Sequence, residues 1–234
     1  MKKFTALMIC AALLLTSVTA SAASGFYASG ILGYSAHSSV DTKITTSYFG
    51  NTPTDETISK NFDLGSIWGL GLGYDFSVKD TLPLRVEFVW LRYNNKNTPS
   101  APRDGITFNI NSLETFMLNG WFVSKPATLQ FYLGGGLGLA IINYEFKYDL
   151  EYWWIGGMWQ HLSGEYKHSG MAGAFNLGLG LDWNITQHMA LDFGYRYSWV
   201  NSRKLALTER SALSVETENT VISHNLLTAI KVKF

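Results

Sequence analysis

Three residues near the middle of the chain have the side-chain types of a nucleophilic catalytic site. His161, Ser163 and Glu165 supply a base, a nucleophile and an acid in one short segment. Such a triad needs a rigid frame that holds the base against the nucleophile. Here all three residues fall in one predicted loop that is rich in glycine. We therefore expect no catalytic residues, with lipid hydrolysis by this cluster kept as an alternative.

A second set of polar residues alternates with apolar ones along predicted strands. Successive side chains of a strand point to opposite faces, so these charged side chains share one face. If the strands enclose an interior, these side chains could line an ion path through it, or they could pair with one another inside it. Because buried charges require partners, we favour a paired interior network. Its predicted members are Arg85, Glu87, Asp182, Asp192, Arg196, Lys231 and Lys233.

The sequence indicates neither a phosphate-binding loop nor a metal site. Glycine occupies every second position in segments such as Gly69 to Gly73, but no helical sequence follows, as a phosphate cradle would require. Alternate glycines instead leave room for bulky neighbours inside a narrow barrel. Besides His161, four histidines are scattered along the chain, at His37, His168, His188 and His224. Since they lack metal-ligand spacing, we expect no metal and no cofactor.

The densest aromatic segment lies in a long predicted loop between Tyr148 and Tyr166. Exposed aromatic patches mark binding surfaces, so this segment is a candidate contact patch. The alternative is that its side chains pack on each other or on lipopolysaccharide at the membrane rim. Both interpretations remain open. The candidate patch consists of Tyr152, Trp153, Trp154, Met158 and Trp159.

The element that organises the chain is a hairpin predicted over Gly173 to Trp199. In both arms, bulky apolar side chains alternate with glycine, amide or charged ones, and this period of two indicates strands. In a soluble sandwich the large apolar face would form the core. A transmembrane barrel inverts the arrangement, with apolar side chains toward lipid and polar ones toward the lumen. We therefore expect Leu177, Leu179 and Phe193 to face lipid, as well as Ile230 in the last strand.

Eight such strands alternate with connections of unequal length. Short connections are predicted near 78–82, 123–128 and 184–188, and long ones over 39–62, 94–107, 149–168 and 201–220. An even strand count with this alternation is the pattern of outer-membrane barrels. Because no backbone group can stay unpaired in hydrocarbon, the sheet must close on itself. The predicted fold class is all-β, an eight-stranded antiparallel up-and-down transmembrane β-barrel.

Aromatic residues near strand ends predict two interfacial girdles. The predicted girdle at the short turns is Phe76, Phe122, Phe131, Trp183 and Phe234. The predicted girdle at the long loops is Trp90, Tyr93, Tyr144, Tyr197 and Trp199.

The first residues indicate export. Met1 to Ala22 has the basic start, apolar middle and small-residue end of a secretory signal, so residues 23–234 are expected to form the barrel domain. Cys10 lies within this signal, which leaves a mature chain without cysteine. Removal of Lys2 and Lys3 changes 18 basic against 18 acidic residues to 16 against 18. This balance gives no indication of nucleic-acid binding.

Several segments carry a family resemblance. They are Gly25 to Ser35, Leu118 to Trp121, Tyr132 to Gly138, Asn176 to Gly180, Leu191 to Tyr197 and the terminal Phe234. Together they resemble the opacity-protein-like, or porin-family, outer-membrane barrels of the OmpA-type eight-stranded superfamily. The resemblance implies a surface antigen of the Gram-negative cell envelope, with variable outer loops and no transferred catalytic residue. It also implies that Phe234 is read by the barrel assembly machinery.

The sequence therefore predicts an outer-membrane surface protein with a structural, adhesive or recognition role rather than catalysis. The alternatives are a narrow porin-like channel for small solutes and a lipid A-modifying hydrolase. Expected partners are outer-membrane lipid, lipopolysaccharide, the assembly machinery and a host or environmental ligand of the loops. No nucleic acid is expected among them.

Overall fold

The computed structural model describes residues 25–48, 54–62, 65–78, 82–94, 100–103, 106–125, 127–155, 158–202, 205–209 and 213–234. Within these ranges the regular structure is β-strand throughout. No helix in the described part of the chain is both long and apolar enough to cross a membrane.

Eleven strands follow one another along the chain. They are β1 (Phe26–Tyr48), β2 (Thr54–Phe62), β3 (Ser66–Asp75), β4 (Leu84–Asn94), β5 (Ser100–Arg103), β6 (Ile106–Val123), β7 (Leu129–Ile155), β8 (Met158–Asn184), β9 (Met189–Ser202), β10 (Leu205–Glu209) and β11 (Leu213–Lys233).

Eight of these strands form a closed antiparallel barrel in the order β1-β3-β4-β6-β7-β8-β9-β11, with β11 pairing back onto β1. The three short strands β2, β5 and β10 pair only with β1, β6 and β11 and lengthen the hairpins at one end. Closure leaves the barrel without a free edge, so its backbone groups pair within the sheet. The predicted fold class is confirmed.

The polarity of the barrel wall is inverted, as predicted. Leu177, Leu179, Phe193 and Ile230 are 46–60% exposed on the outer surface. The alternating residues on the same strands point inward, and side chains such as Asn176, Asp192 and Ala229 are buried there. The alternative arrangement, in which these large apolar side chains gather in a core, is therefore excluded, and the outer surface is the apolar face that lipid would cover.

The short turns lie where the sequence predicts them. Phe76 N donates to Leu84 O at 2.9 Å, and Ile185 N donates to Met189 O at 3.0 Å. The first and last strands meet at this same end, where Phe234 N donates to Phe26 O at 2.9 Å. We refer to it as the short-turn end.

Much of what the sequence predicts as long loops is paired strand. Strands β7 and β8 continue through the predicted loop 149–168, and β1 with β2 covers most of 39–62. The sequence did not indicate this, because the apolar alternation stops where the strands leave the barrel. Backbone hydrogen bonds between neighbouring strands can continue without that alternation.

Strands β1 and β6 each carry a one-residue bulge toward the long-hairpin end. In β1 the pairing moves from Ser35 to His37, so Ala36 has no partner across the seam with β11. In β6 it moves from Ile110 to Ser112 opposite β7. An extra residue reverses the side to which the following side chains point. Each bulge therefore changes which residues face the interior above it.

Candidate functional site

Six of the seven predicted charged residues meet in one layer inside the barrel, near the short-turn end. The seventh, Lys233, lies half-buried at that end, where its Nζ donates to Asn184 Oδ1 at 2.6 Å. Strand β4 contributes Arg85 and Glu87, β8 contributes Asp182, β9 contributes Asp192 and Arg196, and β11 contributes Lys231. All six residues are 6% exposed or less. We call these six residues the charged layer.

The charged layer is connected by ion pairs. Asp182 accepts hydrogen bonds from Arg85 Nη1 and from Lys231 Nζ, the latter at 2.7 Å. Lys231 Nζ also donates to Asp192, and Arg196 Nη2 lies 3.4 Å from Glu87 Oε1. Three cations thus face three anions, and the layer is neutral. This balance is what burial requires, because an unpaired charge in a low-dielectric interior is very costly.

Two tyrosines and a tryptophan, which also point into the barrel, contact the charged layer. Tyr27 donates to Glu87 at 2.9 Å, and Tyr132 donates to Asp192 at 2.8 Å. The Arg85 guanidinium lies 4.5 Å from the centre of the Tyr132 ring, and that of Arg196 lies 5.1 Å from the Trp121 ring. Aromatic faces stabilise the parts of each guanidinium that no carboxylate reaches.

Glycines make room for these rings. A β-carbon at Gly73 would overlap the Tyr27 ring, and one at Gly180 would overlap the Tyr132 hydroxyl. These two glycines therefore permit a close approach between a ring and the opposite backbone. The alternating glycines act as spacers of the interior, in line with their structural interpretation.

Above the charged layer, toward the long-hairpin end, most of the buried side chains are apolar, although polar ones such as Thr115, Ser223 and Asn225 lie among them. The buried apolar side chains there are Ile31, Ile67, Val89, Leu91, Tyr93, Ile110, Leu113, Met117, Ala140, Ile142, Ala172, Ala174, Val200, Val221, Leu227 and Ala229. We call this set the apolar layer. The expectation of a hydrophilic interior thus holds for only part of the barrel. An eight-stranded barrel is narrow enough for side chains to fill it, and either kind of side chain can do so.

One predicted girdle residue belongs to the apolar layer instead. Tyr93 is 1% exposed inside the barrel, because it has the same parity along β4 as Arg85 and Glu87. Trp90 has the opposite parity, lies on the outer surface and packs against Trp68 at 4.9 Å between ring centres. The placement of Tyr93 in the outer girdle is wrong, and parity within β4 could have corrected it. The side chain of Tyr144 lies outside the described residues.

The candidate catalytic residues belong to the part of β8 that extends beyond the barrel. Ser163 and Glu165 are exposed, while the side chain of His161 lies outside the described residues. Glu165 is engaged by two lysines, Lys167 Nζ at 2.8 Å and Lys147 Nζ at 3.7 Å. The hydrogen bond from Lys167 lowers the pKa of the Glu165 carboxyl below its usual value. The Glu165 carboxylate is thus paired with these two lysines.

Those lysines belong to a stem of alternating charge on the β7–β8 hairpin. Glu145 is the register partner of Lys167, and Lys147 is the register partner of Glu165. Lys147 Nζ also lies 3.1 Å from Glu145 Oε1. Opposite charges on facing strands stabilise the pairing. Beyond this stem, the backbone of the predicted contact patch is paired strand, but the side chains of Tyr152, Trp153, Trp154, Met158 and Trp159 lie outside the described residues.

Two histidines that are far apart in sequence lie opposite each other on the outer surface. His37 of β1 is the register partner of His224 of β11, and their ring centres are 5.9 Å apart. The linear spacing gave no sign of this pair, because only closure of the barrel places the first strand beside the last.

Several uncharged polar residues also lie in the interior, although the predicted network named only charged ones. Asn119 and Asn176 form a buried hydrogen bond of 2.9 Å across the lumen, and Asn225 is completely buried. Gln130 lies at the short-turn end, where its amide donates to Ser124 O at 3.1 Å. Parity along each strand identifies these residues as inward, as it does for the charged ones.

A family model described as an outer membrane protein beta-barrel domain matches residues 8–234. Among solved structures, the chain is similar to Neisserial surface protein A at 20% identity and a TM-score of 0.47, covering 90% of this chain and 98% of that one. It is similar to Ail, the attachment invasion locus protein of Yersinia pestis, at 14% identity and a TM-score of 0.34, covering 85% and 97%. A third similar structure is OprG from Pseudomonas aeruginosa, at 14% identity and a TM-score of 0.42, covering 90% and 96%. The comparison with curated proteins found no match.

Proposed function

Because the chain belongs to the outer membrane protein beta-barrel domain family, and so lies in the bacterial outer membrane, we propose that it is a closed barrel that displays its long hairpins at the cell surface. In this proposal the barrel conducts no solutes, and the hairpins carry adhesion or recognition. Catalysis has no part in it.

The observation that carries the proposal is the filled interior. The charged layer and the apolar layer lie one above the other, and large side chains such as Trp121, Tyr93 and Arg85 are at most 2% exposed. A hydrated ion would have to displace paired charges in one layer and closely packed, mostly apolar side chains in the other. Both steps are unfavourable.

The hairpins supply the surface for contact. Strands β7 and β8 are 27 residues each, whereas about 9–11 residues of a tilted strand cross a bilayer. Outer-membrane barrels have short turns on the periplasmic side, so the excess extends outward from the cell. The charged stem around Glu145 and Lys167 supports this extension, because its cross-strand ion pairs hold the two strands in register.

The contact patch at the tip of this hairpin is proposed as the binding surface. Aromatic side chains give the largest binding contributions at protein surfaces because they bury much area with little loss of conformational entropy. Lipopolysaccharide and outer-membrane lipid are proposed neighbours of the apolar outer wall. The assembly machinery is the proposed reader of Phe234.

Planar-bilayer recording tests whether the barrel is closed. The refolded protein is expected to give no steady unitary current in 1 M KCl, with a known porin as the positive control. A steady ohmic current whose ion selectivity changes in an Asp192→Asn variant would overturn the proposal in favour of a narrow channel.

Adhesion assays test the contact patch. Cells that produce a variant with serine in place of Tyr152, Trp153, Trp154, Met158 and Trp159 are compared with wild type on surfaces coated with extracellular-matrix proteins. We expect binding to fall about tenfold or more, as for loss of hot-spot aromatics. The matched control shortens the first hairpin at residues 50–53 and should bind like wild type. Equal binding by all three strains, each with a folded barrel on a gel, would contradict the proposed role of the patch.

Lipid A mass spectra test the hydrolase alternative. Cells that produce the wild-type protein and cells that produce His161→Ala are expected to have identical lipid A. A modified lipid A species that depends on His161 would instead establish catalysis.

A further inference from the structure

The seam between the first and last strands carries an unusual cluster on its outer surface. His37 and His224 face each other across β1 and β11, with Tyr195 and Tyr197 of the neighbouring β9 beside them. The Tyr197 ring packs edge-on against His224, 5.3 Å between ring centres. These residues lie at the level of Trp199, one of the predicted outer girdle residues.

The bulge in β1 is what places His37 on this surface. In a regular strand, Ser35 and Ser38 would point to opposite faces because three positions separate them. Both are buried, however, at 2% and 1% exposure, while Ala36 and His37 between them are exposed. Without the bulge, His37 would point into the lumen. The bulge thus brings one imidazole beside the other.

His224 is oriented by a hydroxyl group. The Tyr195 oxygen lies 2.6 Å from His224 Nδ1. If Nδ1–H donates to this oxygen, the lone pair of Nε2 is free to bind a ligand. Histidines that bind metal ions commonly donate their other ring nitrogen to an oxygen in this way, which fixes the tautomer and the ring orientation.

We propose that His37 and His224 form a two-histidine binding site for a transition-metal ion of the Zn²⁺, Cu²⁺ or Ni²⁺ class. Two imidazoles that share one such ion at about 2.0–2.1 Å have ring centres about 5–6 Å apart. The observed separation of 5.9 Å lies in that range. Water would complete the coordination, since no group of three or more His, Cys, Asp or Glu side chains suited to a metal occurs among the described residues.

The chemistry of the ligands sets the class of ion. Imidazole nitrogen binds ions of borderline hardness such as Zn²⁺ and Cu²⁺, whereas the hard ions Mg²⁺ and Ca²⁺ prefer oxygen ligands. The site therefore differs from the ordinary divalent-cation bridges between lipid phosphates.

A metal ion at this site would link the first strand of the barrel, β1, to the last strand, β11. The ligands come from opposite ends of the sequence and are adjacent only when β11 pairs with β1. An ion that binds this pairing and not the unfolded chain stabilises the folded barrel by mass action. It would act at the seam that closes the sheet.

Thermal unfolding with added metal tests the site. The full chain, without a histidine tag, is folded in detergent, and its unfolding temperature is followed by gel mobility with CuCl₂, ZnCl₂ or MgCl₂. We expect copper and zinc to raise the temperature and magnesium to leave it unchanged. His37→Asn and His224→Asn should abolish the shift. His188→Asn, which changes an exposed histidine at the short-turn end, is the matched control and should retain it.

Copper electron paramagnetic resonance gives an independent readout. The wild-type protein should show two equatorial nitrogen ligands and His37→Asn only one. Tyr195→Phe should keep both nitrogens but weaken binding about tenfold, as for loss of an outer-shell partner. His161 and His168 remain in every variant, so binding at either would appear in all of them.

The proposal would be overturned if His37→Asn responded to copper and zinc like wild type, or if wild type showed no metal-dependent shift. Since each shift is measured within one variant, a lower starting stability does not obscure the result. Should His224→Asn fail to fold, His37→Asn decides the question, because His37 is exposed.

Discussion

The two layers of the barrel interior fill the same cylinder by opposite chemistry. The charged layer consists of three acids and three bases that satisfy one another, with Tyr27 and Tyr132 as hydrogen-bond donors. The apolar layer resembles the core of a soluble domain and includes Ile142 and Val89, both at 0% exposure. Strand pairing is the same in both. The comparison shows that the parity of a position along its strand determines whether its side chain is buried. The residue type at each inward position determines whether the interior is charged or apolar there.

The layers should also differ in how they respond to substitution. Members of the charged layer depend on one another, because removing one ion leaves its partners buried and unpaired. Truncation of a side chain in the apolar layer removes contacts and leaves a cavity, but it leaves no buried charge without a partner. The following predictions test this difference.

The largest effect is expected for Asp182→Ala. This carboxylate accepts from both Arg85 and Lys231, so its loss leaves two cations without their shared partner. We expect a loss of about 3–5 kcal/mol in the free energy of unfolding, measured by urea titration of the barrel in lipid vesicles.

A double variant sharpens that prediction. Asp182→Ala with Lys231→Met removes one charge of each sign and leaves Arg85 and Arg196 against Glu87 and Asp192. Its loss should be smaller than the sum of the two single losses. Strict additivity would show that the charged layer is not a coupled network.

A smaller effect is expected for Leu113→Ala in the apolar layer. Leu113 is 2% exposed, and its truncation should cost about 2–4 kcal/mol through lost contacts and the cavity left behind. The control is Leu118→Ala on the same strand, which faces outward and is 60% exposed. Lipid can fill the space at Leu118, so the control should lose much less. Equal losses at both positions in the urea titration would argue against a packed interior.

The smallest effect is expected for Glu165→Gln in the exposed stem. The lowered pKa of Glu165 means that its ion pairs stabilise the hairpin above the carboxyl's unfolded-state value of about 4.3, and that this contribution is lost as the pH falls through the folded value. Exposed pairs contribute little and are screened by salt. The urea midpoint should therefore match wild type at pH 7, and proteolysis of the hairpin should increase slightly. A large loss of barrel stability would show that stem and barrel fold as one unit.

The sequence predicted the wall of the barrel better than its ends. Alternation placed Leu177 and Phe193 outside and Arg85 and Asp182 inside, because a period of two distinguishes the faces of any strand. It failed for the long connections, where paired strands lack apolar alternation. It also failed for Tyr93, whose residue type indicated the girdle although its parity indicated the interior.

The candidate sites follow the same division. Parity identified the residues of the charged layer, but not the partner of each one. Nothing local indicates that Asp182 bridges Arg85 and Lys231, since these residues come from β8, β4 and β11. The pair His37 and His224 was missed because it depends on a single unpaired residue, Ala36.

By itself, the sequence determined the number of barrel strands, the face that side chains occupy along the regular part of each strand and the inverted polarity of the wall. These are properties of each strand and of the solvent around it. Only the tertiary structure decided which charges pair, where the interior becomes apolar and which histidines meet across the seam. Such contacts join residues from distant strands, and their geometry is fixed only when the sheet closes in one register.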